Sequence, residues 1–296
     1  MFPGDVPHRT DEPLFRFTSY RIGGPARIFA LPTTKEHLFA IGRYLLESGD
    51  PYFVLGNGSN VLAPDEGFSG VVICTKELEG FLEVDGTRVR ASAGTLNSRI
   101  LRACAEEGLG GIDALSGVPG NIGGAVFMNA GTASGWIADA LEEVEILNLR
   151  GTERTVKKSE LKYSYREQHY LEDGDLIWAA SFQLKEEDPV DIKARLAEQI
   201  KKRKAAQPIE LPSCGSVFRN PDGQNAWKLV ADAGLRGFAQ GGARISAKHC
   251  NFIVNEGGAT RADVLFLIQT AKEKVYAASG VRLQEEVIQL SGKFLK

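Results

Sequence analysis

Apolar residues recur with two different periods along this chain. Where they return every three or four positions they predict helices. From Thr34 to Ser48, Leu38, Ile41, Leu45 and Leu46 share one face, and Thr34 can cap the first turn. Leu96 to Glu107 turns Ile100, Leu101 and Cys104 inward and ends at Gly108. Glu186, Glu187, Asp188 and Pro189 open a charged helix to about Ala206, with Ile192, Leu196 and Ile200 on its inner face. Ala226 to Ala233 and Thr260 to about Ala278 predict two more. The second is opened by the capping box Thr260/Asp263 and closed by Gly280.

Short apolar or alternating runs predict strands at Ala26–Leu31, Tyr52–Leu55, Val71–Cys74, Leu176–Leu184, Ser216–Phe218, Phe252–Val254 and Leu283–Leu290. Phe81 to Ala93 alternates about Asp85-Gly86, which predicts a type I′ hairpin. Val144–Leu149 and Glu153–Val156 predict another over Arg150-Gly151. Neighbouring strand residues face opposite ways, so only one of Glu285 and Glu286 can point inward. A carboxylate among Val281, Leu283, Val287 and Leu290 needs a partner to be buried. Strands and helices in this order predict an α+β protein. The pattern changes between residues 185 and 210, which sets a boundary between 1–187 and 188–296.

Composition narrows the function. The chain has 296 residues, enough for two domains, and 43% hydrophobic with 25% charged positions excludes a disordered or low-complexity class. A net charge of −3 argues against general nucleic-acid binding. No apolar run is long enough to span a membrane, and the first residues carry no signal-peptide pattern, so a cytoplasmic location is expected. Cys74, Cys104, Cys214 and Cys250 form no Cys-x-x-Cys pair and the four histidines are dispersed. Reduced buried thiols and no metal site are therefore expected.

The 33 glycines are clustered. Gly56-Asn57-Gly58-Ser59-Asn60 follows a strand and is either a tight turn or a phosphate cradle. It lacks the Walker lysine and the third glycine of a dinucleotide fingerprint. Gly117-Val118-Pro119-Gly120-Asn121-Ile122-Gly123-Gly124-Ala125 is denser still and favours a pyrophosphate or flavin cradle over plain turns. Ala93-Gly94 adds a glycine between a strand and a helix start. Tyr165-Arg166 is either a surface pair or a fork for a carboxylate. The basic end Lys201, Lys202, Arg203 and Lys204 either complements a helix dipole or forms a rim for an anionic substrate. Ser216 stands in Gly215-Ser216-Val217-Phe218 without a nucleophile elbow or an activating His or Asp, so hydrolase chemistry is not supported.

In order along the chain stand Thr18-Ser19-Tyr20-Arg21-Ile22-Gly23-Gly24-Pro25-Ala26, the Gly56 and Gly117 loops, Tyr165-Arg166, Gly215-Ser216-Val217-Phe218-Arg219-Asn220-Pro221 and Glu286-Val287. Together they resemble the UDP-N-acetylenolpyruvoylglucosamine reductase family (UDP-N-acetylmuramate dehydrogenase) of peptidoglycan precursor synthesis. The resemblance runs from about Phe17 to Leu290.

The resemblance implies an FAD-binding region of vanillyl-alcohol-oxidase/PCMH type in two subdomains, about 1–76 and 77–187. It implies a C-terminal α/β substrate domain whose last strand, about 281–291, returns to the active site. FAD would be bound non-covalently by Gly56, Asn57, Gly58, Ser59, Asn60, Ala93, Gly94, Gly117, Pro119, Gly120, Gly123, Gly124 and Ala125, with NADPH as hydride donor. Arg166, Ser216 and Glu286 would be catalytic, with Ser216 the acid and the other two flanking the substrate carboxylate. Tyr165, Lys204, Arg219 and Asn220 would bind the UDP-sugar. No protein partner is implied.

The chain departs from the family pattern in two places. Gln284-Glu285 precedes Glu286 where Glu-Pro is usual, and Thr132-Ala133-Ser134-Gly135 replaces Ala-Tyr-Gly, which removes an aromatic. No tyrosine-bearing insertion stands between Glu187 and Ser213, so the shorter subtype is expected. An alcohol or sugar oxidase of the same superfamily would share the glycine loops without needing Arg166, Ser216 and Glu286 together. A non-catalytic nucleotide-binding module would not retain FAD.

Overall fold

The computed structural model describes residues 1–78, 80–132 and 134–295. Its helices are α1 (Lys35–Ser48), α2 (Asn97–Glu106), α3 (Ile122–Phe127), α4 (Ile137–Ala140), α5 (Pro189–Ala206), α6 (Ala226–Asp232) and α7 (Arg261–Ser279). These elements build an α+β protein from three packed bodies.

The first body is a four-stranded sheet in the order His8–Pro13, Pro25–Ala30, Phe68–Cys74, Tyr52–Leu55. The outer pair is antiparallel and the others are parallel. Thr34 caps α1 by accepting from the His37 amide, and Gly49 ends it in the left-handed region. Leu38, Ile41 and Leu45 are buried between this sheet and Leu147, Leu149, Leu176 and Trp178 of the next. Gly42 permits that approach, since a Cβ there would overlap the Leu149 carbonyl. Leu46, expected on the inner face, is 47% exposed because the buried stripe turns past it.

The second body is a five-stranded antiparallel sheet. Its order is Thr152–Lys157, Leu141–Asn148, Asp175–Gln183, Arg88–Ser92, Leu82–Asp85. One face packs Val89, Ala91, Val144, Ile146, Ala180 and Phe182 against α2, α3 and α4. The first hairpin turns on Gly86-Thr87, one residue later than expected, because Asp85 pairs with Arg88. Gly86 alone takes a positive φ (56°) there, so the turn is not type I′. Helix α5 lies against this body. Arg195 holds Asp113 and Glu187, at 2.9 Å each. Ile192 is buried, whereas Ile200, expected inside, is 40% exposed where the helix outruns the body.

The third body is a short antiparallel sheet, Ala239–Gln240, Ala243–Ile245, Ile253–Asn255, covered by α6 and α7. The Thr260/Asp263 capping box and left-handed Gly280 bound α7. Its core also takes Tyr20, Ile22 and Leu62 from the first part of the chain. The chain then goes back: Ile288–Gln289 pairs in parallel with Val61–Leu62, and Lys293 bridges Tyr52.

Two expected strands are not formed. Ser216–Phe218 contributes a single bridge, Phe218 to Glu285, and Leu283–Leu290 is extended but pairs as a strand only at Ile288–Gln289. Val217 donates to the Asn251 carbonyl, and the Asn251 side chain takes both polar groups of Phe218, so a side chain replaces the ladder. Conversely, His8–Pro13 forms an edge strand from mostly polar residues, which only backbone pairing reveals.

Candidate active site

The two glycine loops meet where the first two bodies join. Ser59 Oγ donates to the Pro119 carbonyl (3.1 Å). A Cβ on Gly56 would stand 2.6 Å from Asn121 Oδ1, one on Gly120 3.0 Å from Ser59 Oγ, and one on Gly124 3.3 Å from Asn121 Oδ1. Gly58, at φ +65°, would overlap the Phe17 carbonyl with any side chain. Gly123 donates to the Ala93 carbonyl (2.9 Å), and Gly94 lies under the Thr75 carbonyl. Ala125 is buried and donates to Asn121, at the start of α3.

The amides of Asn57, Gly58, Ser59, Asn60, Gly120 and Asn121 donate to no acceptor among the described residues. Asn121 Nδ2 is buried without a partner. Unspent donors around glycine-lined space fit the anionic backbone of a flavin dinucleotide. The residues present therefore suit FAD.

Arg166 comes from the turn of the small hairpin Tyr163–Ser164/Glu167–Gln168, at a left-handed φ of 60°. Beneath the turn the partly buried phenols of Tyr163 and Tyr170 hydrogen-bond each other. Arg166 Nε stands 2.7 Å from Glu286 Oε1, and the two side chains are only 17% and 12% exposed. Arg166 Nη1 and Nη2 each reach the Gly131 carbonyl at 3.4 Å.

Glu286 arrives from the returning chain. Its amide donates to the Val217 carbonyl (2.8 Å), and the Arg219 amide donates to Gln284 (2.9 Å). These bonds lay Ser216 beside Glu286. Ser216 is half-buried, and its hydroxyl makes no hydrogen bond among the described residues. Asn60 Nδ2 donates to the Glu286 carbonyl (3.0 Å), tying the cofactor loop to the same segment. Burial pushes the Glu286 carboxyl above the usual glutamate range, against the pull of Arg166 and Arg219. Glu285 points the other way, to Lys272 and to Gln289 at 2.9 Å. The departure Gln284-Glu285 thus leaves the inward carboxyl in place.

A second ion pair crosses in the reverse sense. Arg219 Nη1 meets Glu167 Oε1 at 2.7 Å, next to Arg166 in the chain. The Tyr165 hydroxyl accepts from the Asn220 amide (3.3 Å), and Asn220 Oδ1 accepts from Ala226 at the start of α6. Lys204 is exposed, and its carbonyl is taken by Lys248 Nζ at 2.7 Å. The neighbouring Arg203 turns inward instead, against Gly117, where a Cβ would stand 2.9 Å from its Cδ. Burial, then Arg166, lowers the Arg203 pKa.

Arg203 was legible in principle, because it falls seven residues after Leu196 on the inner face of α5. Asn251 and Trp136 carried no comparable signal. Ala133, part of the altered Thr132–Gly135 stretch, lies outside the described residues.

All four cysteines are free and buried. Among the described residues no helix is long and apolar enough to cross a membrane. No group of three or more His, Cys, Asp or Glu among them could hold a metal ion.

Residues 26–157 match the family model of an FAD binding domain. Residues 207–290 match that of the UDP-N-acetylenolpyruvoylglucosamine reductase C-terminal domain. The enzyme of that name from Geobacter sulfurreducens is 42% identical over 277 residues, covering 94% of this chain and 92% of the relative. The one from Geotalea uraniireducens is 40% identical over 280 residues, with the same coverage of 94% and 92%. The crystal structure of the Thermus caldophilus enzyme superposes with a TM-score of 0.81 at 37% identity, covering 97% of this chain and 99% of that one. The chain therefore belongs to the UDP-N-acetylenolpyruvoylglucosamine reductase family.

Proposed function

We propose that this protein uses NADPH and bound FAD to reduce UDP-N-acetylglucosamine enolpyruvate to UDP-N-acetylmuramate. The observation that carries this reading is the Arg166–Glu286 pair with Ser216 alongside, assembled from three distant parts of the chain. FAD, when bound, supplies the hydride it has taken from NADPH.

The residues of 1–187 hold the cofactor and those of 188–296 contribute most of the sugar-nucleotide site. The free amides of the Gly56–Asn60 and Gly117–Ala125 loops hold the pyrophosphate, with Ala93 and Gly94 supporting them. Hydride arrival at the substrate methylene carbon puts negative charge on the neighbouring carboxylate. Arg166, already fixed and shielded from water, stands where that charge develops. Glu286 in its protonated form donates to the same carboxylate instead of repelling it. Ser216 gives its proton to the carbon next to the carboxylate and is reprotonated from solvent.

Tyr165, Arg219 and Asn220 shape the sugar side. Lys204 and Arg203 offer positive charge to the phosphates. UDP-sugars and NADPH are polyanions that do not cross membranes unaided, which supports a cytoplasmic location.

An anaerobic absorption experiment tests the reading. The yellow protein should bleach with NADPH and regain its colour when the enolpyruvyl substrate is added. Recovery only with oxygen would favour an oxidase. A protein that stays colourless after FAD is supplied would remove the enzyme reading.

A further inference from the structure

We propose that Trp136 is a positioning residue for Arg166, supplying the aromatic face that holds the guanidinium when Glu286 yields to the substrate carboxylate. This rests on the reductase reading above.

The polar contacts of Arg166 are weaker than their number suggests. Its bonds to Gly131 and Asn129 are 3.4–3.5 Å long. Its Nε lies 2.7 Å from Glu286 but is not aimed at the oxygen and has no hydrogen-bond acceptor. Two aromatic rings complete the hold. The Arg166 Cζ stands 5.3 Å from the Trp136 ring centroid and 5.4 Å from that of Tyr165, within cation–π range. The two rings meet edge to face at 5.5 Å and 82°.

Trp136 is itself fixed. It pairs with Gly131, the residue whose carbonyl takes Arg166. A Cβ on Gly131 would overlap the indole, so the ring lies directly on that glycine. The Trp136 amide donates to Asp139 Oδ2 (2.8 Å), and Gln199 of α5 donates to Ser134 Oγ (3.0 Å) in the same hairpin.

When a substrate carboxylate replaces Glu286, the ion pair is lost but the two rings and the carbonyls remain. The Trp136 ring faces the guanidinium and has no proton to transfer, so its effect is on orientation.

The test compares W136L, which keeps bulk without a π face, with W136F, which keeps a ring. Three quantities are measured on flavin-loaded protein: flavin reduction by NADPH, reoxidation by the enolpyruvyl substrate, and affinity of the oxidised enzyme for UDP-N-acetylmuramate. W136L should slow reoxidation and weaken product binding by about tenfold, while NADPH reduction stays within about twofold. W136F should restore most of both. In an R166K background, W136L should add little further loss.

Equal behaviour of W136F and W136L, equal loss in both half-reactions, or full additivity with R166K would overturn the proposal. Loss of flavin from W136L would make Trp136 a structural residue and overturn it as well. A wild-type enzyme indifferent to the enolpyruvyl substrate would instead remove the reductase reading, and this inference with it.

Discussion

Arg166 holds a backbone angle that residues other than glycine seldom adopt, at a cost of order 1–3 kcal/mol. The cost is offset by a hairpin pinned through Tyr163 and Tyr170, and the result is a guanidinium held within 2.7 Å of Glu286. Ser216 should behave as a specialist in this setting. S216A is expected to leave flavin reduction by NADPH intact and to slow reoxidation by the enolpyruvyl substrate by orders of magnitude, as stopped-flow absorbance would show. Glu286 makes a separate prediction. Between the ordinary glutamate range and its raised value, the folded protein keeps a proton that the unfolded chain releases. Stability therefore falls as pH rises through that window. E286Q should flatten the fall, measured as the denaturation midpoint against pH. Strand alternation says that only one of Glu285 and Glu286 points inward and leaves open which, and the family resemblance is what singled out Glu286. Its contact with Arg166 has no local signal, since 120 residues separate the two and no period links them.

At the scale of elements, the density of the Gly117–Ala125 loop favoured a cradle over turns, whereas the Gly56–Asn60 loop read equally as either. Which glycines are obligatory follows only from their neighbours. G58A combines a left-handed φ with overlap on the Phe17 carbonyl, whereas G215A at φ +81° meets nothing within 4 Å. G215A should cost about 1 kcal/mol and G58A at least twice that, with loss of FAD retention, in parallel thermal-unfolding and flavin-content measurements. Helices α1 and α7 were legible from period and N-caps, and α7 ends at Gly280 as expected, while the Gly49 end of α1 is an addition from the structure. The segments around Ser216 and Glu285 looked like strands because they are extended and apolar. Their partners are the Asn251 side chain and each other, and a local pattern reports extension without reporting who pairs. His8–Pro13 shows the converse, a strand held at a sheet edge by backbone bonds with little apolar pattern to announce it.

The whole molecule is closed by its last residues. Leu290 and Leu295 are 3% and 8% exposed, packed in the cores of the first body, and Lys293 bridges Tyr52. Removing residues 288–296 should cost roughly 3 kcal/mol or more, at about 1.5–3 kcal/mol per buried leucine, read as a lower urea midpoint. The crossed pair Arg219–Glu167 is a different kind of contact. Glu167 is 47% exposed, so E167Q should change stability by less than about 1 kcal/mol in the same assay.

The returning tail is one of several ties on the third body. Its chain enters from the end of α5 and leaves through the pairing of Ile288–Gln289 with Val61–Leu62. Between those crossings Tyr20, Ile22 and Leu62 pass into its core, the Asn255 side chain donates to the Tyr20 carbonyl (2.9 Å), and the Arg261 amide donates to Asp65 (2.8 Å). Glu286 stands two residues before the returning crossing, with its amide on the Val217 carbonyl. The reacting groups therefore sit in the seam itself, and the bonds that stitch distant stretches of chain together are the same bonds that set their spacing.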